Sequence, residues 1–223
     1  MGLDIVPPEV RTRVARVLLD RNTRGINFTL GKVSISGDDY ETIAILISMG
    51  MVSVAFGQIN DLKGSGGVAY YTGAGAYSNV LYLPRSYQAA NLSLDARSVI
   101  IHEATHAILD YKRRALRRLD SEMLAYFAQF WYAMANGFIY NLTDVDDRKS
   151  AVIAHGTFCV EQYQQRAGSI EKEALENFRK AIKAVPLYGD ADSQWSAGDG
   201  IRGIGTTDPI FRAHVLGGLS DPD

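Results

Sequence analysis

The run of residues 99–108 constrains the fold of this chain most strongly, because it is apolar but for two histidines, a threonine and one charged side chain, Glu103. The surrounding residues predict a helix over 94–109, which holds no glycine or proline and opens with Ser93 as N-cap and Asp95 in the first turn. A surface helix would alternate apolar with charged residues. We therefore expect this helix to be buried among other elements.

Two histidines flank Glu103 on the predicted helix. His102 and His106 are one turn apart on the same face, so both can present a ring nitrogen to one ion. Glu103 projects about 100° around the helix axis from His102. This position suits a carboxylate that does not bind the metal but takes a proton from the water that does. The spacing indicates a site for metal-assisted hydrolysis; the alternative is two core histidines and a salt-bridged glutamate.

Residues 99–108 resemble the extended HExxH signature of the zincin metallopeptidases, with aliphatic residues on both sides of the motif. The resemblance covers the active-site helix only. Within the zincins, the metzincin pattern requires glycine where this chain has Leu109 and histidine where it has Lys112. The metzincin branch is therefore excluded.

The gluzincin branch fits better, because its third metal ligand is a glutamate on a following helix. Apolar spacing predicts such a helix from residue 119 to about Asn136 and Gly137, after a basic connection. Glu122 lies near its start and would face the histidines if the two helices pack antiparallel. The alternative is a carboxylate placed there for the helix dipole. The pattern Glu-x-x-Ala-Tyr from Glu122 also resembles uncharacterised zincin-like proteins of bacteria that are classed as peptidases.

The chain departs from the thermolysin-like branch, which has an aspartate four residues after the ligand glutamate, where this chain has Tyr126. Asp110 and Asp120 are the nearby candidates to orient the histidines instead. A rival third ligand is Asp208, because residues 205–208 resemble the Gly-Thr-x-Asp element of the aspzincins. A turn before a proline is the simpler explanation of that sequence.

Zincin chemistry also requires a donor that stabilises the oxyanion, typically a tyrosine or histidine. The sequence offers four candidates without choosing among them. They are His155, Tyr163, Tyr188 and His214.

The remaining pattern predicts a small sheet before the active-site helix and a helical lobe after it, as the zincin resemblance implies for an α+β fold. We expect strands at 26–35, 52–59, 68–72 and 80–83, and helices at 40–49, 145–166 and 170–185. In zincins the edge strand of the sheet holds an extended peptide by backbone pairing. Residues 79–84 are the candidate for that strand, because Pro84 is tolerated only at an edge or an end.

We expect one zincin-like metallopeptidase domain over residues 1–223. It would comprise an N-terminal helix and sheet region at 1–92, the active-site helix and helical lobe at 93–188, and an irregular Gly/Asp-rich tail at 189–223.

Composition excludes several other classes of protein. The formal net charge of −2 argues against general attraction to nucleic acid or membrane, and no apolar run reaches the ~20 residues of a membrane span. The single cysteine, Cys159, allows no internal disulfide. No signal peptide is visible at the N-terminus, so we expect a cytoplasmic protein or one exported by a route without such a peptide.

Together these features predict a zinc metallopeptidase. Zn²⁺ would be its cofactor, bound by His102, His106 and Glu122, and Glu103 would be the general base. Its partner would be a peptide or protein substrate, in a housekeeping or an effector role. The alternative is a catalytically silent zincin-like interaction module, or an effector- or toxin-associated domain that binds a protein partner.

Overall fold

The computed structural model describes residues 4–57, 70–72, 79–140 and 146–189, and within them seven α-helices and six strands form an α+β arrangement. The strands are β1 (Asp4–Ile5), β2 (Asn27–Leu30), β3 (Val33–Ser36), β4 (Ser53–Phe56), β5 (Tyr70–Thr72) and β6 (Val80–Leu83). The helices are α1 (Pro8–Leu18), α2 (Arg21–Arg24), α3 (Gly37–Ser48), α4 (Leu94–Tyr111), α5 (Arg118–Ala135), α6 (Asp147–Gln165) and α7 (Lys172–Ala184), with 3₁₀ turns at Arg85–Gln88 and Pro186–Tyr188.

The expected α+β class is confirmed, although several elements differ from the prediction. Residues 58–59 and 68–69 of two expected strands lie outside the described residues. The strand expected at 26–35 is a hairpin, β2 and β3, which turns at Gly31 in a left-handed conformation with φ of 61°. Helix α3 begins three residues earlier than expected, because the side chain of Asp39 accepts a hydrogen bond of 2.8 Å from the backbone N–H of Ser36 and closes the first turn. The tail expected at 189–223 lies outside the described residues from position 190 onward.

The main sheet has the strand order β1-β4-β6-β5, so the expectation that residues 79–84 form its edge was wrong. Strand β6 pairs in parallel with β4 on one side and antiparallel with β5 on the other. Pro84 follows the last paired residue, Leu83, so its missing N–H interrupts no ladder bond. The edge strand that contacts α4 is β5.

Helix α4 is largely buried, as the apolar residues of 99–108 predict. Ser93 caps it by accepting a hydrogen bond of 3.1 Å from the N–H of Ala96. Its aliphatic side chains contact α1, α3, α5 and the sheet, and several are fully buried, among them Ile100, Ile101, Ala104, Ala107 and Ile108. Because neighbouring elements cover α4 on several sides, several of its polar side chains are also buried, among them His102, Glu103 and Asp110.

Helix α5 packs antiparallel against α4 after a connection of six residues. It ends where the sequence predicts, at Asn136, with Gly137 in a left-handed conformation (φ 70°) whose N–H bonds to the carbonyl of Met134 at 2.9 Å. Helix α6 crosses α5 closely at Gly156, because a Cβ there would lie 2.2 Å from a ring carbon of Phe130. Helix α5 is thus packed between α4 and α6, which restricts its position against α4.

No helix in the described ranges is both long enough and apolar enough to cross a membrane.

Candidate metal centre

The antiparallel packing of α4 and α5 brings the three predicted ligands together. His102 Nε2 lies 3.3 Å from Oε2 of Glu122, and His106 Nε2 lies 3.7 Å from the same oxygen. One ligating atom from each of the three side chains lies within 4.8 Å of the other two. Two imidazoles and a carboxylate are a donor set that suits zinc, with a fourth position left for water or substrate.

The carboxylate of Glu122 is buried with only the two imidazoles close to one of its oxygens. The residue is 7% exposed, and Oε2, which the two Nε2 atoms approach, makes no hydrogen bond of ordinary geometry with any described residue. A buried charged oxygen is stable only when it is paired or coordinates a metal. A cation between this oxygen and the two imidazoles would satisfy all three groups, so the residues present fit a metal ion.

The other ring nitrogen of each histidine is held by a side chain of α5. His102 Nδ1 lies 3.0 Å from Oε1 of Gln129, and His106 Nδ1 lies 2.9 Å from Oγ of Ser121. The amide oxygen of Gln129 can only accept, so Nδ1 of His102 must carry the proton. In the neutral ring this leaves the lone pair of Nε2 directed towards Glu122, which is the state that binds a metal.

The two aspartates expected to orient the histidines lie elsewhere. Asp110 is one turn beyond His106 and accepts a hydrogen bond of 2.9 Å from the hydroxyl of Tyr71 in β5. Asp120 precedes Glu122 by two residues, which is about 200° around α5, and it pairs with Arg179 of α7. That expectation was therefore wrong, because the Nδ1 atoms of the histidines contact Gln129 and Ser121 of α5, whereas Asp110 lies on α4 itself and Asp120 lies on another side of α5.

The sequence contained a usable signal for Gln129. It follows Glu122 by seven residues, or two helical turns, and therefore lies on the same face of α5. Tyr126 lies between them, where the thermolysin-like branch has aspartate. Its ring contacts the ring of His102 edge-on, with centroids 4.5 Å apart, so it restrains that imidazole by packing instead of by a hydrogen bond.

Glu103 is enclosed beside the three ligands and held by the edge strand. It is 6% exposed, and its carboxyl group accepts a hydrogen bond from the backbone N–H of Tyr71. Burial raises the pKa of Glu103, and the charge of Glu122 adds to this effect, while the two imidazoles and the Tyr71 N–H oppose it. A carboxylate with a raised pKa is a stronger base than an exposed glutamate.

The ligand residues themselves are electrostatically coupled. Burial alone would raise the pKa of Glu122, but the two imidazoles outweigh it and hold that pKa well below its usual range. Burial alone would lower the pKa of His106, but the Glu122 carboxylate outweighs it and raises that pKa. The surroundings of these side chains therefore favour the ionised carboxylate of Glu122 and a positive charge beside it, on an imidazole or on a bound cation.

Of the four candidate oxyanion donors, the structure brings Tyr188 to the centre. Its hydroxyl lies 3.5 Å from that of Tyr126, and its ring packs under the guanidinium of Arg118 at 5.6 Å. Burial raises the pKa of Tyr188, and the charge of Glu122 raises it further, so the phenol keeps its proton. A buried, protonated phenol beside the ligands can donate a hydrogen bond.

The other three candidates lie away from this position or outside the described residues. Tyr163 accepts the backbone N–H of Thr29 at 2.8 Å and packs against Trp131. His155 is half-buried on α6. His214 lies outside the described residues, as does the rival ligand Asp208.

Comparison with known proteins gives no match from any family model, curated protein or solved structure.

Replacing Gln129 with leucine tests whether the contact to His102 tunes the metal centre. We expect a 10- to 100-fold loss of zinc affinity, which is the usual effect of removing a residue that hydrogen-bonds a metal ligand. A competition titration against a chromophoric chelator measures it. Gln164→Leu, at an exposed position of α6, is the matched control and should bind zinc like the wild type. Equal affinity in both variants would show that Gln129 does not orient His102.

Proposed function

We propose that this chain is a zinc-dependent hydrolase that cleaves peptide bonds. His102, His106 and Glu122 would hold the zinc, and Glu103 would be the general base. Support comes from one arrangement above all, in which two imidazole Nε2 atoms face the same buried oxygen of Glu122, and this oxygen makes no hydrogen bond of ordinary geometry with any described residue. When bound there, zinc would supply Lewis-acid chemistry that makes a water nucleophilic near neutral pH and polarises a carbonyl group.

Glu103 would transfer the protons of the reaction. Its carboxylate would take a proton from the attacking water and deliver it to the nitrogen of the leaving amine. The Tyr71 N–H holds one side of this carboxyl group, so its orientation is set by the sheet as well as by α4. The burial that raises the pKa of Glu103 brings it closer to neutrality, where a group can act in both directions.

The peptide is inferred as substrate from the position of β5. This three-residue strand lies at the end of the sheet order, and it pairs antiparallel with β6. The N–H of Tyr71 is directed away from β6, because it donates a hydrogen bond to Glu103 on α4. A strand at the edge of a sheet can pair with an extended peptide by backbone hydrogen bonds. A peptide paired with β5, the edge among the described strands, would lie beside Glu103, which itself holds the Tyr71 N–H.

The proposal is tested by incubating the zinc-loaded full chain with a mixed peptide library and identifying products by mass spectrometry. We expect cleavage that 1,10-phenanthroline abolishes and added zinc restores. A chain that binds zinc stoichiometrically but cleaves no peptide would contradict the proposal and favour the catalytically silent interaction module.

Tyr188→Phe tests the donor at the centre. Loss of one hydrogen bond to a developing oxyanion costs about 10²- to 10³-fold in kcat, and we expect this loss with little change in KM. Tyr163→Phe is the matched control, because it also removes one phenolic hydroxyl but at a position bonded to Thr29. Steady-state kinetics on a cleaved peptide distinguish them. A wild-type kcat in Tyr188→Phe would show that Tyr188 does not donate the hydrogen bond that stabilises the oxyanion.

A further inference from the structure

A second cleft, separate from the metal centre, lies between α1 and the start of α4. It has a volume of about 370 Å³, within the range of small-molecule sites. Three arginines line it, two from α1 (Arg13 and Arg16) and one from α4 (Arg97). The remaining lining residues are Val17, Ala90, Asn91 and Leu92.

These three arginines form no ion pair with any carboxylate in the described ranges. Arg13 donates from Nη2 to the carbonyl of Gln88 at 2.9 Å. Arg97 donates to the hydroxyl of Tyr132, which in turn donates to Asp20 at 2.6 Å. Arg97 is thus held near a carboxylate through a phenol, and the positive charge of the cleft is not neutralised by direct pairing.

Two donors in this cleft are also left without acceptors. The Nε atoms of Arg13 and Arg97 are both buried and have no hydrogen-bond partner among the described residues. A buried donor without an acceptor is destabilising, more so on a charged group. An oxyanion that carries several acceptor oxygens would offer acceptors to these two arginines beyond those that Gln88 and Tyr132 provide.

We propose that the cleft binds the phosphate group of a small ligand. Guanidinium groups match phosphate oxygens in paired hydrogen bonds. A phosphate dianion also offers more charge and more acceptor oxygens than one carboxylate, as three arginines require. The chain as a whole is weakly acidic, with a formal net charge of −2, so attraction of an anion is local to this cleft. The site goes beyond the proposed hydrolase function and does not depend on it.

Calorimetric titration of the full chain with inorganic phosphate tests the site, at an ionic strength kept constant with sodium chloride. We expect saturable binding that weakens at least tenfold in Arg13→Gln and in Arg97→Gln. Arg11→Gln is the matched control, because Arg11 lies on the same helix but is exposed and does not line the cleft. Saturable binding that is equal in all three variants, or no saturable binding by the wild type, would overturn the proposal.

A second measurement does not depend on whether the variants fold. Phenylglyoxal modification of the wild-type chain, followed by peptide mapping, should show that phosphate protects Arg13 and Arg97 but not Arg11. Equal modification with and without phosphate would also overturn the proposal.

The source of the phosphate group is distinguished by vesicles of phosphatidylcholine that contain phosphatidic acid. One outcome is that the chain co-sediments with these vesicles, loses this binding when free phosphate is added, and fails to bind as Arg97→Gln. That result would support the site and assign its phosphate to a lipid headgroup. Binding of soluble phosphate without co-sedimentation would support it and assign a soluble phosphate ester.

Discussion

Glu103→Gln is expected to retain zinc and to lower kcat for peptide hydrolysis by about 10²- to 10⁴-fold, the usual contribution of a general base. The amide cannot take up a proton from water, but it has nearly the same shape, and its oxygen can still accept the Tyr71 N–H. Zinc should stay because the cluster that can hold it consists of His102, His106 and Glu122, without Glu103.

Zinc content by mass spectrometry and steady-state kinetics on a cleaved peptide test this prediction together. Glu173→Gln, at an exposed position on α7, is the control for loss of one carboxylate and should behave like the wild type. If Glu103→Gln cleaved peptide at the wild-type rate, the activity would have to come from a contaminant or another site. If it lost zinc, Glu103 would be a ligand instead of a base.

His106→Ala is expected to lose zinc. The wild-type chain should bind about one zinc. Removal of one of three protein ligands should lower the zinc affinity by more than the 10- to 100-fold expected when a residue that hydrogen-bonds a ligand is removed. Zinc at 1,000 times its dissociation constant stabilises the folded wild type by about 4 kcal/mol. The corresponding rise in Tm should be absent in the variant.

The control for this variant is His155→Ala, which removes a half-buried imidazole from α6. It should keep both the zinc and the zinc-dependent rise in Tm. Asp208→Ala adds a further comparison, because Asp208 is the rival ligand suggested by the sequence, and it should also keep zinc. Full zinc retention by His106→Ala, or loss of zinc in Asp208→Ala, would contradict the ligand set.

Features that depend on local spacing could be predicted from the sequence. The four-residue interval between His102 and His106 places them on one helical face whatever surrounds the helix. The end of α5 follows from the left-handed preference of Gly137. Glu122 could be identified because it is an acidic residue near the start of an otherwise apolar helix, and antiparallel packing of neighbouring helices brings it to the histidines.

Features that depend on tertiary packing could not be predicted in the same way. The order of the strands joins residues far apart in sequence, so the edge position of β5 was assigned to β6. The partner of His102 lies 27 positions away on another helix, and its identity depends on the rotation of α5 against α4. The cleft lined by Arg13, Arg16 and Arg97 likewise combines residues of α1 and α4 that are more than 80 positions apart in sequence. Taken alone, each arginine resembles an ordinary surface charge.

The most direct test of the metal centre is an anomalous difference map from crystals of the zinc-loaded chain, recorded at the zinc absorption edge. We expect one strong peak about 2 Å from Nε2 of His102, Nε2 of His106 and a carboxylate oxygen of Glu122, which are ordinary zinc–ligand distances. A peak held by Asp110 or Asp208 in place of Glu122, or no peak between the two imidazoles, would contradict this expectation.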